Sequence, residues 1–580
     1  MEEIEEEIKI QVLKNALEYK KADPTKIIGK IISKFPEKKS EIKQLMQIIQ
    51  KECYRINNLS KEEFEEEIKK YNIQKEEKKV DAEEQRKIVL PQAKIGEVIT
   101  RFPPEPSGYL HIGHAKAAFL DYFAAKEYNG KMLLRFDDTN PQKAKQKYVD
   151  LIKEELKWLE IEPFAQSYSS DYMEKFYFYA FEMIKVGRAY VCKCSSEEIK
   201  ENRLNKRRCG CTKKTARSNI DDFQAMINGE YNPEEAILRF VGDMESENTT
   251  LHDPTLFRII KIPHYRQKEK YSCWPTYDFA APILDSIEGV THAMRSKEYE
   301  LRDELYYKIL EVLKLRKPLI ISFSRLAIKG MPVSKRLINP LIEQKIVEGY
   351  DDPRLPTLAA FRRRGISPKA IREFVLSFGL TKVESEPNLE KLLAINKKLI
   401  DPICERRFFV PKPYAKIKVN FLEKTKLIKI KNHPIKDLGY RERKITQDEL
   451  IYVPKKDVEE IEIGQIIRLK DFCSIKITKK EIKENELYLE AEEIKLAEVG
   501  EEKKVQWVGE KEKILAKVYV PKELYVGEKF NENSLEIIEG IAESNCASDN
   551  ENKIVQFERF GFVRLDKKER DYLIYIFSCK

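Results

Sequence analysis

Residues 101–114, with the sequence RFPPEPSGYLHIGH, lead from a strand-like apolar run through a turn rich in proline and glycine into a helical pattern that begins near His114. The first turn of a helix carries unpaired N–H groups and a partial positive charge, which suits a polyphosphate. His111 and His114 lie at this opening with N–H donors, and Gly113 lets a nucleotide approach closely. On spacing alone, a phosphate site and a packed turn with two ordinary histidines remain equally open.

Strand-like runs and helical patterns alternate from residue 96 to about residue 345. The clearest segments are strands at residues 97–101, 131–135 and 319–323 and a helix at residues 115–127. This alternation is typical of βα units, which build a doubly wound parallel sheet. We therefore expect a Rossmann-like domain over this region.

Helical regions flank this α/β region on both sides. Residues 1–95 and residues 346–405 carry apolar side chains at helical spacing. Residues 76–87 are strongly charged and predict an exposed helix or linker before a boundary near residues 90–94. We expect a helical N-terminal extension and a helical connecting domain.

Short alternating strand patterns fill residues 406–580, among them KIKV, KLIKIK, ELIYV and IIRLK. Many short strands separated by charged turns predict β-barrels. A chain of 580 residues exceeds one hydrophobic core, so several domains are expected. The overall prediction is a multidomain protein of the α/β and β classes.

Charge and cysteine content indicate whether the chain can bind nucleic acid, cross a membrane or form disulfides. Lys and Arg number 107 against 98 Asp and Glu, a mild excess that permits nucleic-acid binding without requiring it. The acidic start MEEIEEEIKI lacks the features of a secretory signal, and no apolar run predicts a membrane span. The 10 cysteines are therefore expected in a reducing cytoplasm, where structured spacing favours metal over disulfides.

Four cysteines fall in two close pairs. Cys192 and Cys194 form CKC, and after 14 residues Cys209 and Cys211 form CGC. Four thiolates grouped in this way suit a tetrahedral Zn²⁺ ion, and neighbouring Lys and Arg offset their charge. Because C-x-C is less common than C-x-x-C, four free buried thiols remain the alternative to a structural zinc site.

Four short motifs carry a resemblance to a known family. They are HIGH (111–114), RFDDTNP (135–141), FSRL (323–326) and PVSKR (332–336). PVSKR departs from the general KMSKS form at Pro332 and Arg336 but keeps Ser334 and Lys335. With these motifs the chain resembles class I aminoacyl-tRNA synthetases, specifically the glutamyl and glutaminyl branch. The chain as a whole is similar to the archaeal and eukaryotic glutamyl type. Its N-terminal helices and the segment DPICERRFFV resemble those of archaeal members, rather than the glutathione-transferase-like domain common in eukaryotic ones.

The resemblance implies a domain plan and a reaction. A class I catalytic domain would span residues 96–345, with an insertion at about 188–268 that binds the acceptor stem. Two β-barrels over residues 406–580 would bind the anticodon. The expected reaction is ATP-dependent ligation of L-glutamate to tRNA(Glu) through a glutamyl adenylate, with Mg²⁺ accompanying the ATP.

The resemblance also assigns roles at the nucleotide. His111, His114 and Lys335 are expected to stabilise the phosphate charge of the transition state. ATP binding is expected from Pro104, Gly113, His114, Arg325, Leu326, Ser334 and Lys335.

The amino-acid site is implied by the same motifs. Asp137 is expected against the α-ammonium of the substrate, and Tyr277 along its side chain. Arg295 stands where members that charge glutamate have an arginine, and a guanidinium pairs bidentately with a γ-carboxylate. Arg101 is a second cation expected at the substrate, with an undetermined partner. The alternative for Arg295 is a cation on a helix surface.

Other functions stay open at this point. A glutaminyl-tRNA synthetase shares nearly every motif, and a non-catalytic tRNA-binding paralogue would keep the barrels without the chemistry. The expected partners are L-glutamate, tRNA(Glu) and tRNA(Gln), with no membrane, and protein partners are left open. Arg441, Arg443 and Arg559 either contact anticodon bases or stabilise strand edges.

Overall fold

The computed structural model describes residues 2–19, 22–35, 38, 41–71, 88–447, 449–483, 486–494 and 502–580. The chain divides into two compact units, Met1–Gln85 and Arg86–Lys580. The predicted charged helix or linker at residues 76–87 lies outside the described residues. Within the described ranges, no helix is both long enough and apolar enough to span a bilayer.

The first unit is helical, as its periodicity predicts. Its helices are α1 (Glu2–Tyr19), α2 (Pro24–Lys34), α3 (Ile42–Asn57) and α4 (Lys61–Lys70). Asp23 caps α2 by accepting a hydrogen bond from the Thr25 N–H group, and Pro24 suits the first helical position. Their apolar faces meet in one core that includes Ile8, Val12 and Ile27.

The second unit begins with an α/β region. Its strands are β1 (Ile99–Phe102), β2 (Lys131–Phe136), β3 (Ala165–Tyr168), β4 (Ala189–Cys192), β5 (Ile237–Phe240), β6 (Thr255–Ile259), β7 (Cys273–Pro275), β8 (His292–Ser296) and β9 (Leu319–Phe323). Its helices are α5 (Ile112–Glu127), α6 (Gln146–Trp158), α7 (Met173–Lys185), α8 (Ser196–Leu204), α9 (Ala216–Ile227), α10 (Tyr277–Ile287), α11 (Asp303–Val312) and α12 (Lys335–Glu343).

The parallel strands place the predicted site at one edge of the sheet. Strands β1, β2 and β3 pair in parallel, and so do β8 and β9. The Thr291 N–H group donates to the Ile99 carbonyl oxygen at 2.9 Å and so joins the start of β8 to β1. Ligands of such sheets bind beyond the carboxyl ends of the strands. His111 and Asp137 follow the ends of β1 and β2, whereas Arg295 lies within β8.

A separate antiparallel sheet interrupts the α/β pattern. Strands β4 to β7 pair in sequence order, and α7 and α9 pack against them. The buried side chains of this layer include Phe223, Leu238, Phe257 and Trp274. Three of its strands fall within residues 188–268, the predicted insertion, and β7 lies beyond them, so the bounds of the insertion stay a prediction.

Three helices follow the α/β region: α13 (Leu358–Arg364), α14 (Pro368–Leu376) and α15 (Leu389–Ile400). Helix α14 packs against α5, and their shared core includes Phe119 and Phe374. The connecting helices are therefore part of the packing that supports the start of α5.

Two seven-stranded sheets dominate the C-terminal region, in agreement with the predicted barrels. Its elements are β10 (Arg406–Arg407), β11 (Phe409–Pro411), β12 (Tyr414–Asn420), β13 (Thr425–Lys431), β14 (Tyr440–Thr446), β15 (Leu450–Pro454), α16 (Lys455–Val458), β16 (Ile466–Leu469), β17 (Ser474–Lys483), β18 (Glu486–Ile494), β19 (Lys503–Val505), β20 (Val508–Gly509), β21 (Lys513–Pro521), β22 (Tyr525–Val526), β23 (Lys529–Phe530), β24 (Leu535–Glu543), β25 (Ile554–Phe557), β26 (Gly561–Lys568) and β27 (Tyr572–Cys579).

The order of the first sheet is β19-β16-β17-β18-β12-β15-β20, and that of the second is β10-β25-β26-β27-β21-β24-β11. Because β10 and β11 join the second sheet, the chain contributes to that sheet before it builds the first one. The two sheets are thereby interlocked in sequence.

Candidate functional site

Helix α5 opens with the two predicted histidines in a reciprocal cap. His111 is the N-cap residue, and its Nδ1 atom accepts a hydrogen bond from the Gly113 N–H group at 3.1 Å. The His111 N–H group donates in turn to His114 Nδ1, also at 3.1 Å. The two rings lie 3.8 Å apart, so the structure brings both to the same helix end.

The protonation of these rings follows from their surroundings. Burial lowers the pKa of His111 well below its usual value, and burial with the charges of Lys335 and Arg325 lowers the pKa of His114 to about 4. Both rings are therefore neutral near pH 7. Because each Nδ1 atom accepts a backbone hydrogen bond, the ring proton resides on Nε2. Each ring offers one Nε2–H donor, which has no partner among the described residues.

Lys335 comes from a different element and meets the same loop. Ser334 is the N-cap residue of α12, and the Lys335 Nζ atom donates to the carbonyl oxygen and the Oγ atom of Ser107 at 2.5 and 2.8 Å. A Cβ atom on Gly108 would lie 2.5 Å from Lys335 Cε, so glycine is needed for this approach. The PVSKR motif therefore contacts, through Lys335, the loop that precedes the histidines.

The segment after β9 packs beside Gly113. A Cβ atom on Gly113 would lie 3.2 Å from the Leu326 carbonyl oxygen, and Leu326 itself is buried. The Lys116 Nζ atom donates to the carbonyl oxygen and the Oγ atom of Ser324 at 2.7 and 2.9 Å, which fixes this segment to α5. Arg325 is half exposed and pairs with Glu298.

Pro104 connects the loop that precedes the histidines to the segment that carries Asp137. Its carbonyl oxygen accepts a hydrogen bond from the Asp137 N–H group at 3.1 Å. The Asp137 carboxylate accepts from Ser169 Oγ at 2.8 Å, and burial raises its pKa to about 6, partly offset by Arg135. An arriving ammonium group would stabilise the ionised form of this carboxylate.

Arg295 lies in a cage of aromatic rings. Its guanidinium carbon is 5.7, 5.2 and 5.3 Å from the ring centres of Tyr277, Tyr299 and Tyr306. One nitrogen, Nη1, donates to Asp303 at 3.0 Å, whereas the buried Nε atom has no partner in the described part of the chain. Arg295 is 5% exposed, so it is not a cation on a helix surface.

Arg101 is held by partners within the protein. It is buried, and its Nε and Nη2 atoms donate to the two oxygens of Asp285 at 3.0 and 3.2 Å, while Nη1 donates to the Met294 carbonyl oxygen. Asp285 also accepts from Arg135 and from the Tyr306 hydroxyl group. Arg101 is therefore already bound within the protein, and its predicted contact with the substrate stays a prediction.

Asp285 is the residue of this site that sequence reasoning missed. The charges of Arg101 and Arg135 outweigh the effect of burial and hold its pKa at about 2, so the carboxylate is ionised. It connects β1, β2 and α11 beneath the amino-acid side of the site. Its only sequence signal is an acidic residue in an otherwise apolar stretch of α10.

The two cysteine pairs converge at the end of β4. The Sγ atoms of Cys192, Cys194, Cys209 and Cys211 all lie within 4.8 Å of one another. The Cys192–Cys209 and Cys194–Cys211 distances are 3.6 and 3.9 Å. Sulfur ligands 2.3 Å from a tetrahedral ion stand about 3.8 Å apart, so the four thiols have the donor set and spacing for one metal ion.

The candidate anticodon residues differ in exposure. Arg441 and Arg443 are 4% and 1% exposed, and both lie against the buried carboxylate of Glu543. They are neither exposed strand-edge charges nor available to a base in this conformation. Arg559 is half exposed and pairs with Asp457.

Three family profiles together match most of the chain. The profile "tRNA synthetases class I (E and Q), catalytic domain" matches residues 97–402, and two anti-codon binding domain profiles of the same family match residues 404–499 and 504–566.

Individual relatives extend the similarity to nearly the full length. The glutamate–tRNA ligase of Nitrosopumilus maritimus is 44% identical over 98% of this chain and 99% of its own length. That of Pyrococcus furiosus is 37% identical over 98% of each. A crystal structure of the glutamate-tRNA synthetase from Elizabethkingia anophelis, 20% identical, covers 52% of this chain and 70% of that chain with a TM-score of 0.39. From the profile matches and the full-length relatives, the chain belongs to the E and Q family of class I tRNA synthetases.

Proposed function

We propose that this chain ligates L-glutamate to tRNA(Glu) with ATP, producing glutamyl-tRNA, AMP and pyrophosphate. The observation that carries the proposal is the meeting of Lys335 with Ser107 beside the His111–His114 pair. Three donors from two motifs there surround a helix N-terminus, which is the arrangement that a polyphosphate requires. The neighbouring cage of Arg295 supplies a cation for an acidic substrate.

The reaction proceeds in two displacements. An α-carboxylate oxygen of glutamate attacks the α-phosphorus of ATP, and the bond to pyrophosphate breaks. The 2′-hydroxyl oxygen of the terminal adenosine of the tRNA then attacks the carbonyl carbon of the mixed anhydride, and AMP leaves. The protein contributes positioning and charge stabilisation.

Each named residue has a part in the first displacement. The Nε2–H groups of His111 and His114 donate to phosphate oxygens, and Lys335 neutralises the charge that develops on the departing pyrophosphate. When bound with ATP, Mg²⁺ would supply additional positive charge at the phosphates. Gly113 and Leu326 line the nucleotide, with Pro104, Arg325 and Ser334 around it.

Glutamate is selected by the pair Arg295 and Asp137. The unpartnered Nε atom of Arg295 and its Nη2 atom form the free edge of a guanidinium whose Nη1 atom is held by Asp303. A γ-carboxylate fills that edge with two charge-assisted hydrogen bonds, whereas a neutral amide would leave the cation poorly paired. Asp137 receives the α-ammonium group, and Tyr277 lies along the side chain.

The C-terminal sheets bind the tRNA, and we propose that the enzyme also places glutamate on tRNA(Gln). The anticodons of the two tRNAs differ at one base, and a single mismatched contact costs about 1–3 kcal/mol. Loose recognition at that base therefore suffices for dual charging. A cytoplasmic location is part of the same proposal.

We also propose that the four cysteines hold a structural Zn²⁺ ion. Arg239 supports this assignment, because its Nη1 atom lies 3.8 and 3.9 Å from the sulfur atoms of Cys192 and Cys209 and would offset thiolate charge. The ion would tie the loop after β4 to the segment around Cys209, remote from the histidines.

The test of the proposed reaction is ATP–pyrophosphate exchange by the full chain with tRNA present. We expect exchange with glutamate and none with glutamine. Exchange that requires glutamine would identify a glutaminyl enzyme instead. A chain that binds tRNA without any exchange would be the non-catalytic paralogue.

A further inference from the structure

Glu155 is a buried acidic residue that the reaction scheme above does not use. It lies on α6, is 4% exposed, and its Oε2 atom accepts a hydrogen bond from the Leu110 N–H group at 3.2 Å. Leu110 directly precedes His111. A carboxyl group of α6 therefore holds the peptide from which the first histidine extends.

The same short segment is held from its other side by the chain before α13. The Leu358 N–H group donates to the Leu110 carbonyl oxygen at 2.9 Å, and the Ile112 N–H group donates to the Pro356 carbonyl oxygen at 3.0 Å. Residues 110–112 thus lie between the Glu155 side chain and the backbone of residues 356–358. Without Glu155, only the backbone side of this clamp would remain.

The second oxygen of Glu155 argues against a purely structural role. Its Oε1 atom is buried without a hydrogen-bond partner among the described residues. Such an atom destabilises the fold, and an apolar side chain of similar size would avoid the cost. Glu155 also lines a cavity of about 620 Å³, whose other walls include Arg362 and Arg564, so it is not fixed by close packing on every side.

We propose that Glu155 is a positioning residue for the histidine pair: it orients the Leu110 peptide and thereby aims the Nε2–H donors of His111 and His114. This inference rests on the proposed role of the histidines at the phosphates. The His111 N–H group donates to His114 Nδ1 and the Gly113 N–H group donates to His111 Nδ1, so a rotation of the backbone at this turn moves both rings. Among the described residues, Glu155 is the only side chain outside the histidine pair that hydrogen-bonds to the backbone of residues 110–112.

The test compares Glu155→Leu, Glu155→Gln and the control Glu154→Gln. Glutamine keeps an acceptor for the Leu110 N–H group, and leucine fills the space without one. Glu154 is the adjacent glutamate, 62% exposed, and pairs with Arg362 on the surface. The measurements are the kcat and the KM for ATP in pyrophosphate exchange, and the ring signals of the 6 histidines in ¹⁵N-histidine-labelled full-length protein.

We expect Glu155→Leu to lower kcat by about tenfold or more with the KM for ATP nearly unchanged, because misaimed donors act mainly on the transition state. The signals of His111 and His114 should shift, while the other four stay in place. Glu155→Gln should retain most activity, and Glu154→Gln should match the wild type.

Wild-type turnover with unmoved signals in Glu155→Leu would overturn the proposal. Equal losses in the leucine and glutamine variants, with all six ring signals displaced, would also overturn it, because they would show general damage to the fold. Absence of exchange in the wild type would contradict the proposed function instead, and the ring signals would still report on Glu155.

Discussion

At the scale of single residues, the neutral hydrogen-bond donors and the positive charges of the candidate nucleotide site belong to different side chains. The lowered pKa values of His111 and His114 keep both rings neutral, so in their proposed role they would donate to phosphate without adding positive charge. The cations are Lys335 and Arg325, which come from other segments. This division lets the histidines sit close together without mutual repulsion.

Lys335→Ala should slow adenylate formation by about 10²- to 10³-fold, the usual cost of losing one donor to transition-state charge. The KM for ATP should change much less, because the charge of Lys335 matters mainly as pyrophosphate develops. Steady-state pyrophosphate exchange measures both constants. Lys329→Ala, an exposed lysine of the same loop, serves as the control. Unchanged turnover in Lys335→Ala would refute the assignment.

Arg295→Ala should raise the KM for glutamate by about 10- to 150-fold, since hydrogen bonds to a charged group contribute about 1.5–3 kcal/mol. The KM for ATP should stay nearly constant. Arg207→Ala removes an exposed arginine of the insertion and should leave both constants unchanged. Unaltered glutamate kinetics in Arg295→Ala would mean that another cation binds the γ-carboxylate. Arg101 would be the first residue to test.

Sequence reasoning found the residues that belong to motifs and missed those that support them. His111 and His114 lie in a glycine-containing turn at a helix start, whereas Ser334 and Lys335 are recognised through the resemblance of PVSKR to KMSKS. Asp285 and Glu155 are single acids within helices whose neighbours are apolar or charged, so no spacing distinguishes them. Their roles depend on partners 184 and 45 residues away in the sequence, which only the fold brings near.

At the scale of elements, the strands most easily predicted were those with apolar inward faces. Strand β14, YRERKIT, went unpredicted because two of its three inward positions hold Arg441 and Arg443. These arginines are buried against Glu543, whose carboxylate lies 2.7 Å from Arg441 Nε and 3.6 Å from Arg443 Nη1. Glu543 ends β24, another strand that the alternation rule did not identify. In β14 and β24, buried ion pairs take the place of the alternating apolar residues by which a strand is predicted from sequence.

The cysteine cluster is the element-scale feature with the most direct test. Purified protein should contain about one zinc ion per chain, and Cys209→Ser should lower that content and weaken tRNA acceptance, because three thiolates hold the ion less tightly than four. Elemental analysis measures the zinc. Cys53→Ser, in the helical first unit, should leave it unchanged. A metal-free preparation with full activity would contradict the zinc assignment.

At the scale of the whole molecule, the order of regions could be read from the sequence. Helices at the start, βα units, connecting helices and short strands occur in the predicted order, because periodicity and turn residues are local signals. The interlocking of the two C-terminal sheets could not be read, since β10 and β11 pair with strands far along the chain, as in the pairs Arg406–Gln556 and Pro411–Gly540. The predicted domain boundaries stay predictions.

The most direct measurement is charging of purified tRNA(Glu) and tRNA(Gln) by the full chain, with glutamate and glutamine supplied separately with ATP. The proposed function predicts that glutamate is attached to tRNA(Glu) and that glutamine is attached to neither tRNA. Dual charging predicts that tRNA(Gln) also receives glutamate, and an efficiency thousands of times below that for tRNA(Glu) would overturn that part alone. Transfer of glutamine in preference to glutamate, or of neither amino acid, would contradict the assignment of this chain as a glutamate ligase.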